Sequence, residues 1–174
     1  MNDQRAGKAV SDSDKMRDKV TAAALKILAA RARSESQLRE KLLAKPWVDP
    51  IAVEHCIARL KEMGYVNDRD FARNYASARV NSRAVGRARV ARELAGKKVA
   101  SRAIDDAVSA VFDKIGEDAI IDRAIQKRLR THGRPSDRGS AKRMFDHLAR
   151  LGFEYDLIIR KLRTLKANIG DSEE

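Results

Sequence analysis

Apolar residues return every three or four positions along most of this chain and rarely alternate, a pattern that predicts helices and no strand. Val20, Ala23, Ala24, Ile27 and Leu28 line a first helix from about Asp14 to Arg31. Ser34-Glu35-Ser36-Gln37 reads as a capping box, in which the Ser34 hydroxyl and the Gln37 side chain each satisfy an amide of the other residue. It opens a second helix carrying Leu38, Leu42 and Leu43, which ends before Pro46. Asp49 then caps a third, with Pro50 in its first turn, where a missing N–H costs nothing. Val53, Ile57 and Leu60 form its inner stripe, and Gly64 closes it in a left-handed conformation. Tyr65 and Val66 return apolar surface to the core. Asn67 or Asp68 caps the next helix, with Asp68 and Asp70 placing negative charge in its partly positive first turn.

The same sequence of events then recurs. Phe71, Ala72, Tyr75 and Ala78 line a helix to about Arg79, Asn81 to Gly86 is a break, and Val90 and Leu94 mark a helix stopping near Gly96. Ser101 caps a helix bearing Ile104, Val108 and Val111. A third pass starts near Gly116, with Ile121, Ile125 and Leu129 on one helix face and Arg123, Lys127 and Arg130 roughly opposite. His132 to Asp137 is a loop, Met144 and Leu148 line the next helix, and Leu151-Gly152-Phe153 is a Schellman stop. Ile158, Leu162 and Leu165 line the last.

Laid over one another, the passes share one register. Val48, Val99 and Phe153 precede the last helix of each; Val53, Ile104 and Ile158 follow at the same offset, then Ile57, Val108 and Leu162, then Leu60, Val111 and Leu165. Upstream, Leu38–Leu42, Val90–Leu94 and Met144–Leu148 are equivalent pairs, with one extra residue near Trp47 in the first pass. An internal repeat of this kind predicts an all-α fold: a tandem array of three three-helix repeats, elongated and curved. The repeats fall at residues 14–66, 67–114 and 115–168. Residues 1–13, polar and aperiodic, read as a disordered tail, and 169–174 as a loose acidic tail.

Composition narrows the function. Of 174 residues, 37 are Lys or Arg and 25 are Asp or Glu, a net charge of +12, and aromatics make up 5%. The low aromatic content disfavours a β-sandwich, and the charge points to a polyanionic or acidic partner. Cys56 is the sole cysteine, so no internal disulfide forms and a reducing compartment fits. Nothing has the apolar length of a signal peptide or a membrane span, so the expectation is a soluble, cytoplasmic protein.

The charge is not evenly spread. Arg79, Arg83, Arg87, Arg89, Arg92, Lys97, Lys98 and Arg102 stand in one stretch against Glu93 alone, and nine basic residues between Arg123 and Arg150 stand against Asp137 and Asp146. A single arginine among these reads as a solvated helix face. Together, the clusters carry a repulsion that an anionic partner would relieve, and arginine suits bidentate contact with phosphate or carboxylate. The candidate partner or nucleic-acid residues are the first eight with Arg123, Lys127, Arg130 and Arg143.

Chemistry of other kinds finds little support. His55, His132 and His147 lie far apart, none with a partner at metal-ligand spacing. The side chains of His55 and Cys56 diverge by about 100° on a helix, which disfavours a shared metal or a nucleophile–base pair. Gly86 stands outside any phosphate-loop signature. No metal, cofactor or catalytic residue is expected. Trp47 is read as packing across the repeat junction in preference to anchoring a partner.

Gly64-Tyr65-Val66-Asn67-Asp68 followed by Phe71-Ala72, Gly86 with Arg89-Val90-Ala91-Arg92-Glu93-Leu94, the stop Leu151-Gly152-Phe153, and Ala32-Arg33-Ser34-Glu35-Ser36-Gln37-Leu38 together resemble the RecX family of recombination regulators. The resemblance covers roughly Val20 to Leu165 and lies in the order and spacing of the motifs. It implies three tandem three-helix repeats, without enzymatic activity, that bind the RecA recombinase filament and restrain its ATPase and strand exchange, in homologous recombination, DNA repair and the SOS response. It also implies a monomer with no cofactor. One departure stands out: the family has Lys-Gly before the position of Val99, where this chain has Lys97-Lys98, so the turn is expected to differ and to use Gly96. The alternative is a module that binds single- or double-stranded DNA directly, largely without sequence preference. A membrane-surface role is disfavoured, because the basic helices lack a bulky, aromatic-rich apolar face.

Overall fold

The computed structural model describes residues 3–170, with side chains from 13 to 165. Among the described residues the regular structure is entirely α-helical, in nine segments: α1 (Asp3–Ala30), α2 (Glu35–Leu43), α3 (Pro50–Glu62), α4 (Asp68–Ser82), α5 (Arg87–Ala95), α6 (Ser101–Ile115), α7 (Glu117–His132), α8 (Arg138–Arg150) and α9 (Tyr155–Gly170). They group into two compact units. One runs to Phe71 and includes Lys97–Ala100; the other is made of Ala72–Gly96 and the chain from Ser101 onward.

In the first unit α1, α2 and α3 pack against one another. Val20 and Ala24 of α1, Leu38 and Leu42 of α2, and Val53, Cys56, Ile57 and Leu60 of α3 close a core that Val66 completes. Each large aliphatic side chain removed from water here contributes roughly 1.5–3 kcal/mol. The helix ends carry the expected chemistry. Asp49 caps α3 by accepting from the Ile51 amide, and Gly64, at φ +75°, turns the chain so that the Tyr65 and Val66 amides both reach the Leu60 carbonyl. Asn67, not Asp68, caps α4, accepting from the amides of Arg69 and Asp70.

Asp68 does something the spacing did not suggest. Its carboxylate accepts the Glu35 amide at 2.7 Å, satisfying a first-turn donor of α2. Beside it lies the fully buried Ser34, whose hydroxyl accepts from the Gln37 amide and donates to the Lys97 carbonyl at 2.6 Å. The start of α2 is therefore held by residues from three separate stretches of chain.

In the second unit α5 packs on α6, α6 on α7, and α7, α8 and α9 on one another. The equivalent pairs Val90–Leu94 and Met144–Leu148 are buried, as are Leu38–Leu42 in the first unit. Val53, Ile104 and Ile158 are likewise all buried. Toward the end of α9 the stripe thins, and Leu162 and Leu165 are half-buried.

Several expectations are corrected. Helix α1 begins at Asp3, ahead of Asp14, so residues 3–13 are helical. They contain no proline and a single glycine, and nothing in their chemistry stops a helix that packing has already nucleated. Met1 and Asn2 lie outside the described residues. At the other end α9 continues to Gly170, and residues 171–174 lie outside the described residues. Ala78 is exposed, and the buried stripe of α4 is Ala72, Ala76 and Val80, each four residues on from the last. Trp47 packs on the core of its own unit, with Lys19 Nζ 4.1 Å from its ring centroid.

Candidate partner-binding surface

Charge pairing divides the candidate cations into two sets. In the first, Arg79 grips Glu93 with both prongs of its guanidinium, Nε at 2.6 Å and Nη2 at 2.8 Å. The Tyr75 hydroxyl donates to the same carboxylate at 2.9 Å and Arg89 Nε at 3.1 Å. The Arg79 contact, helped by Tyr75 and Arg89 and opposed by burial, holds the Glu93 carboxyl down to about 2. Arg89 also donates from Nη1 to the Arg150 carbonyl at 3.2 Å. This cluster joins α4 to α5 and α5 to the end of α8.

Arg87, at the first turn of α5, reaches toward α6 and α7. Its Nε lies 2.9 Å from Glu117 and its Nη2 3.0 Å from Asp113, and the guanidinium carbon sits 5.0 Å from the centroid of the Phe112 ring. Burial by itself would lower its pKa; the two carboxylates outweigh that and raise it. Lys98 forms an ion pair with Glu40. Its φ is +59°, whereas Gly96 is a right-handed C-cap at φ −63°. The turn therefore does not shift to Gly96. Lys98 takes the left-handed conformation itself, at a cost of roughly 1–2 kcal/mol, while its carbonyl accepts from Ser36 and that of Lys97 from Ser34.

The second set faces water. Arg83, Arg92, Arg102, Lys127 and Arg130 are exposed and, among the described residues, form no ion pair. Arg123 is exposed too, and its Nη2 donates to the Val80 carbonyl at 3.4 Å. Arg143 joins Arg128, His132 and Arg134, which charge counting alone did not single out, around a cavity of about 150 Å³ between α7 and α8. Arg128 and His132 stand four residues apart on α7, a spacing that already places them on one face.

Among the described residues no three His, Cys, Asp or Glu side chains gather as a metal site, and no helix is long and apolar enough to cross a membrane. Cys56 is buried, with its thiol pushed up by that burial against a Thr21 hydrogen bond, whereas His55 is exposed.

Fold and surface together define a basic helical protein built from consecutive three-helix groups. Residues 22–60 match the first three-helix domain of RecX and residues 67–108 the second. The chain is 30% identical over 157 residues to the regulatory protein RecX of Streptomyces coelicolor, spanning 90% of this chain and 82% of that one. With RecX of Halorhodospira halophila it shares 32% over 154 residues, spanning 86% and 89%. The crystal structure of RecX from Lactobacillus salivarius has the same fold, with a TM-score of 0.78 and 21% identity, over 88% of this chain and 99% of that one. The chain belongs to the RecX family of regulatory proteins.

Proposed function

We propose that this protein regulates recombination by binding the RecA–DNA filament and restraining its ATPase and strand-exchange activities, through contact and without catalysis. The observation that carries this reading is the set Arg83, Arg92, Arg102, Lys127 and Arg130, exposed cations that no carboxylate among the described residues offsets. A filament of protein and nucleic acid presents the phosphates and carboxylates that planar guanidinium groups bind in bidentate fashion. Membership of the RecX family supports the choice of partner. In this reading Arg79, Arg87, Arg89 and Lys98 hold helices in place, and the exposed set, with Arg123 and Arg143, meets the partner. The protein acts in the cytoplasm as a monomer and needs no cofactor.

The test is RecA-catalysed ATP hydrolysis on single-stranded DNA, followed against added protein. A dose-dependent fall in hydrolysis and in strand exchange is expected. Unchanged rates with the protein in excess over RecA would sink the reading. The same exposed cations also favour direct binding to DNA. That alternative is separated by titrating naked DNA: affinity without RecA, falling steeply as salt rises, is its signature.

A further inference from the structure

The cavity between α7 and α8 holds a concentration of charge of which the filament reading uses Arg143 alone. Arg128 and His132 come from α7, Arg134 from the loop after it, and Arg143 and Ser140 from α8, with buried Met144 as apolar lining. About 150 Å³ is room for a tetrahedral oxyanion and several waters. Asp137, next to this group, is already engaged. It accepts the Ser140 amide at 2.8 Å as the cap of α8, and that bond, with a smaller contribution from the charge of Arg143, holds its carboxyl below the usual range. Arg128, Arg134 and Arg143 have no ion pair among the described residues. A separate group senses the excess: His147 is held below its usual value by burial and then by the charges of Arg128, Arg150 and His132.

We propose that this cavity binds a terminal phosphate group, with the Arg128, Arg134 and Arg143 guanidinium groups as its donors. Three forks match the three free oxygens of a terminal phosphate. An internal phosphodiester offers two such oxygens and one charge, too little to offset three cations. The terminal phosphate belongs either to a free phosphate or nucleotide or to the end of a DNA strand. The inference goes beyond the filament reading and does not depend on it.

The experiment uses the full ¹⁵N-labelled chain, titrated with inorganic pyrophosphate at constant ionic strength and followed by amide chemical shifts. Saturable shifts centred on Gly133 and Ser140 are expected. Arg134→Gln and Arg143→Gln should each weaken binding about tenfold, the scale of one charge-assisted contact, and Arg83→Gln should leave it within about twofold. Arg134 is exposed on a loop, so its substitution tests the site without endangering the fold. Shifts spread over every exposed arginine, native-like titration of both variants, or no saturation by about 10 mM would each overturn the proposal. A second arm compares an oligonucleotide bearing a 5′-phosphate with its 5′-hydroxyl counterpart. Tighter binding of the phosphorylated strand, lost in Arg134→Gln, identifies the strand end as occupant. Equal binding, with the pyrophosphate response intact, identifies a free phosphate. Inhibition of RecA by the Arg134→Gln variant is read separately, so failure of this site and failure of the filament reading are distinguishable.

Discussion

Gly86 and Gly152, far apart in sequence, meet backbone to backbone. The Gly86 amide donates to the Leu151 carbonyl at 2.9 Å and the Ala88 amide to the Gly152 carbonyl at 3.3 Å, so the stop of α8 satisfies donors at the start of α5. A Cβ on Gly86 would overlap the Gly152 carbonyl group, and one on Gly152 would overlap the Arg89 backbone. Gly152 also sits at φ +89°, where a side chain is strained whatever the space. Gly152→Ala and Gly86→Ala should therefore each cost roughly 1–3 kcal/mol in urea denaturation. Gly96→Ala is the control: its Cβ would meet only ordinary contacts at 3.5 Å, and it should stay within about 0.5 kcal/mol. Equal effects at all three positions would show that the close approach is not what matters.

At Lys98 the strain runs the other way. Lys98→Gly relieves a left-handed residue and loses only an exposed ion pair with Glu40, which is worth little. Its thermal midpoint should rise, by the equivalent of up to about 1 kcal/mol. Lys98→Val, with a β-branched side chain at positive φ, should fall by about 1–2 kcal/mol. A glycine variant less stable than the native chain would mean that Lys98 earns its place through the ion pair.

Glu93 sets an acid limit on the second unit. Its folded pKa is depressed to about 2 from an ordinary 4.5. Its contribution is therefore fully present above about pH 4.5 and is lost as pH falls through that window toward 2. Glu93→Gln should lose roughly 1–3 kcal/mol at pH 7, and the gap between variant and native protein should narrow below pH 4. Denaturation midpoints at pH 7, 4 and 3 read this directly; a gap that widens on acidification would reverse the assignment.

The two sets of cations should respond differently to charge reversal. Arg92→Glu with Lys127→Glu should leave the thermal midpoint nearly unchanged, since exposed charges contribute little to stability, while weakening RecA inhibition at least about tenfold. Arg89→Glu should destabilise, because it places a second carboxylate against Glu93 and removes the donor to the Arg150 carbonyl. Full inhibition by the Arg92/Lys127 double variant would reduce that set to solvated helix faces.

Register across the helix triplets is tested at Ile104, which is 6% exposed. Ile104→Ala should cost roughly 2–5 kcal/mol. A loss below about 0.5 kcal/mol, the range of surface substitutions, would show that the repeat alignment places it wrongly.

Local chemistry was enough for the parts of this protein that depend on near neighbours. The caps at Ser34 and Asp49, the left-handed stop at Gly64 and the buried pairs Leu38–Leu42, Val90–Leu94 and Met144–Leu148 all lie within one or two helical turns. Their periodicity and spacing are written in consecutive residues. The fate of each arginine was not. Glu93 is the only acid in its stretch, yet it accepts hydrogen bonds from three residues, and Arg87 is neutralised by Asp113 and Glu117 from farther along the chain. The same holds for the Asp68 carboxylate on the Glu35 amide, for Gly86 against Gly152, and for three guanidinium groups around one cavity. Charge acts through space, and distance along the chain says little about distance across a fold. A sequence can therefore count the cations of this surface, but only tertiary packing separates those that hold helices together from those left to meet a partner.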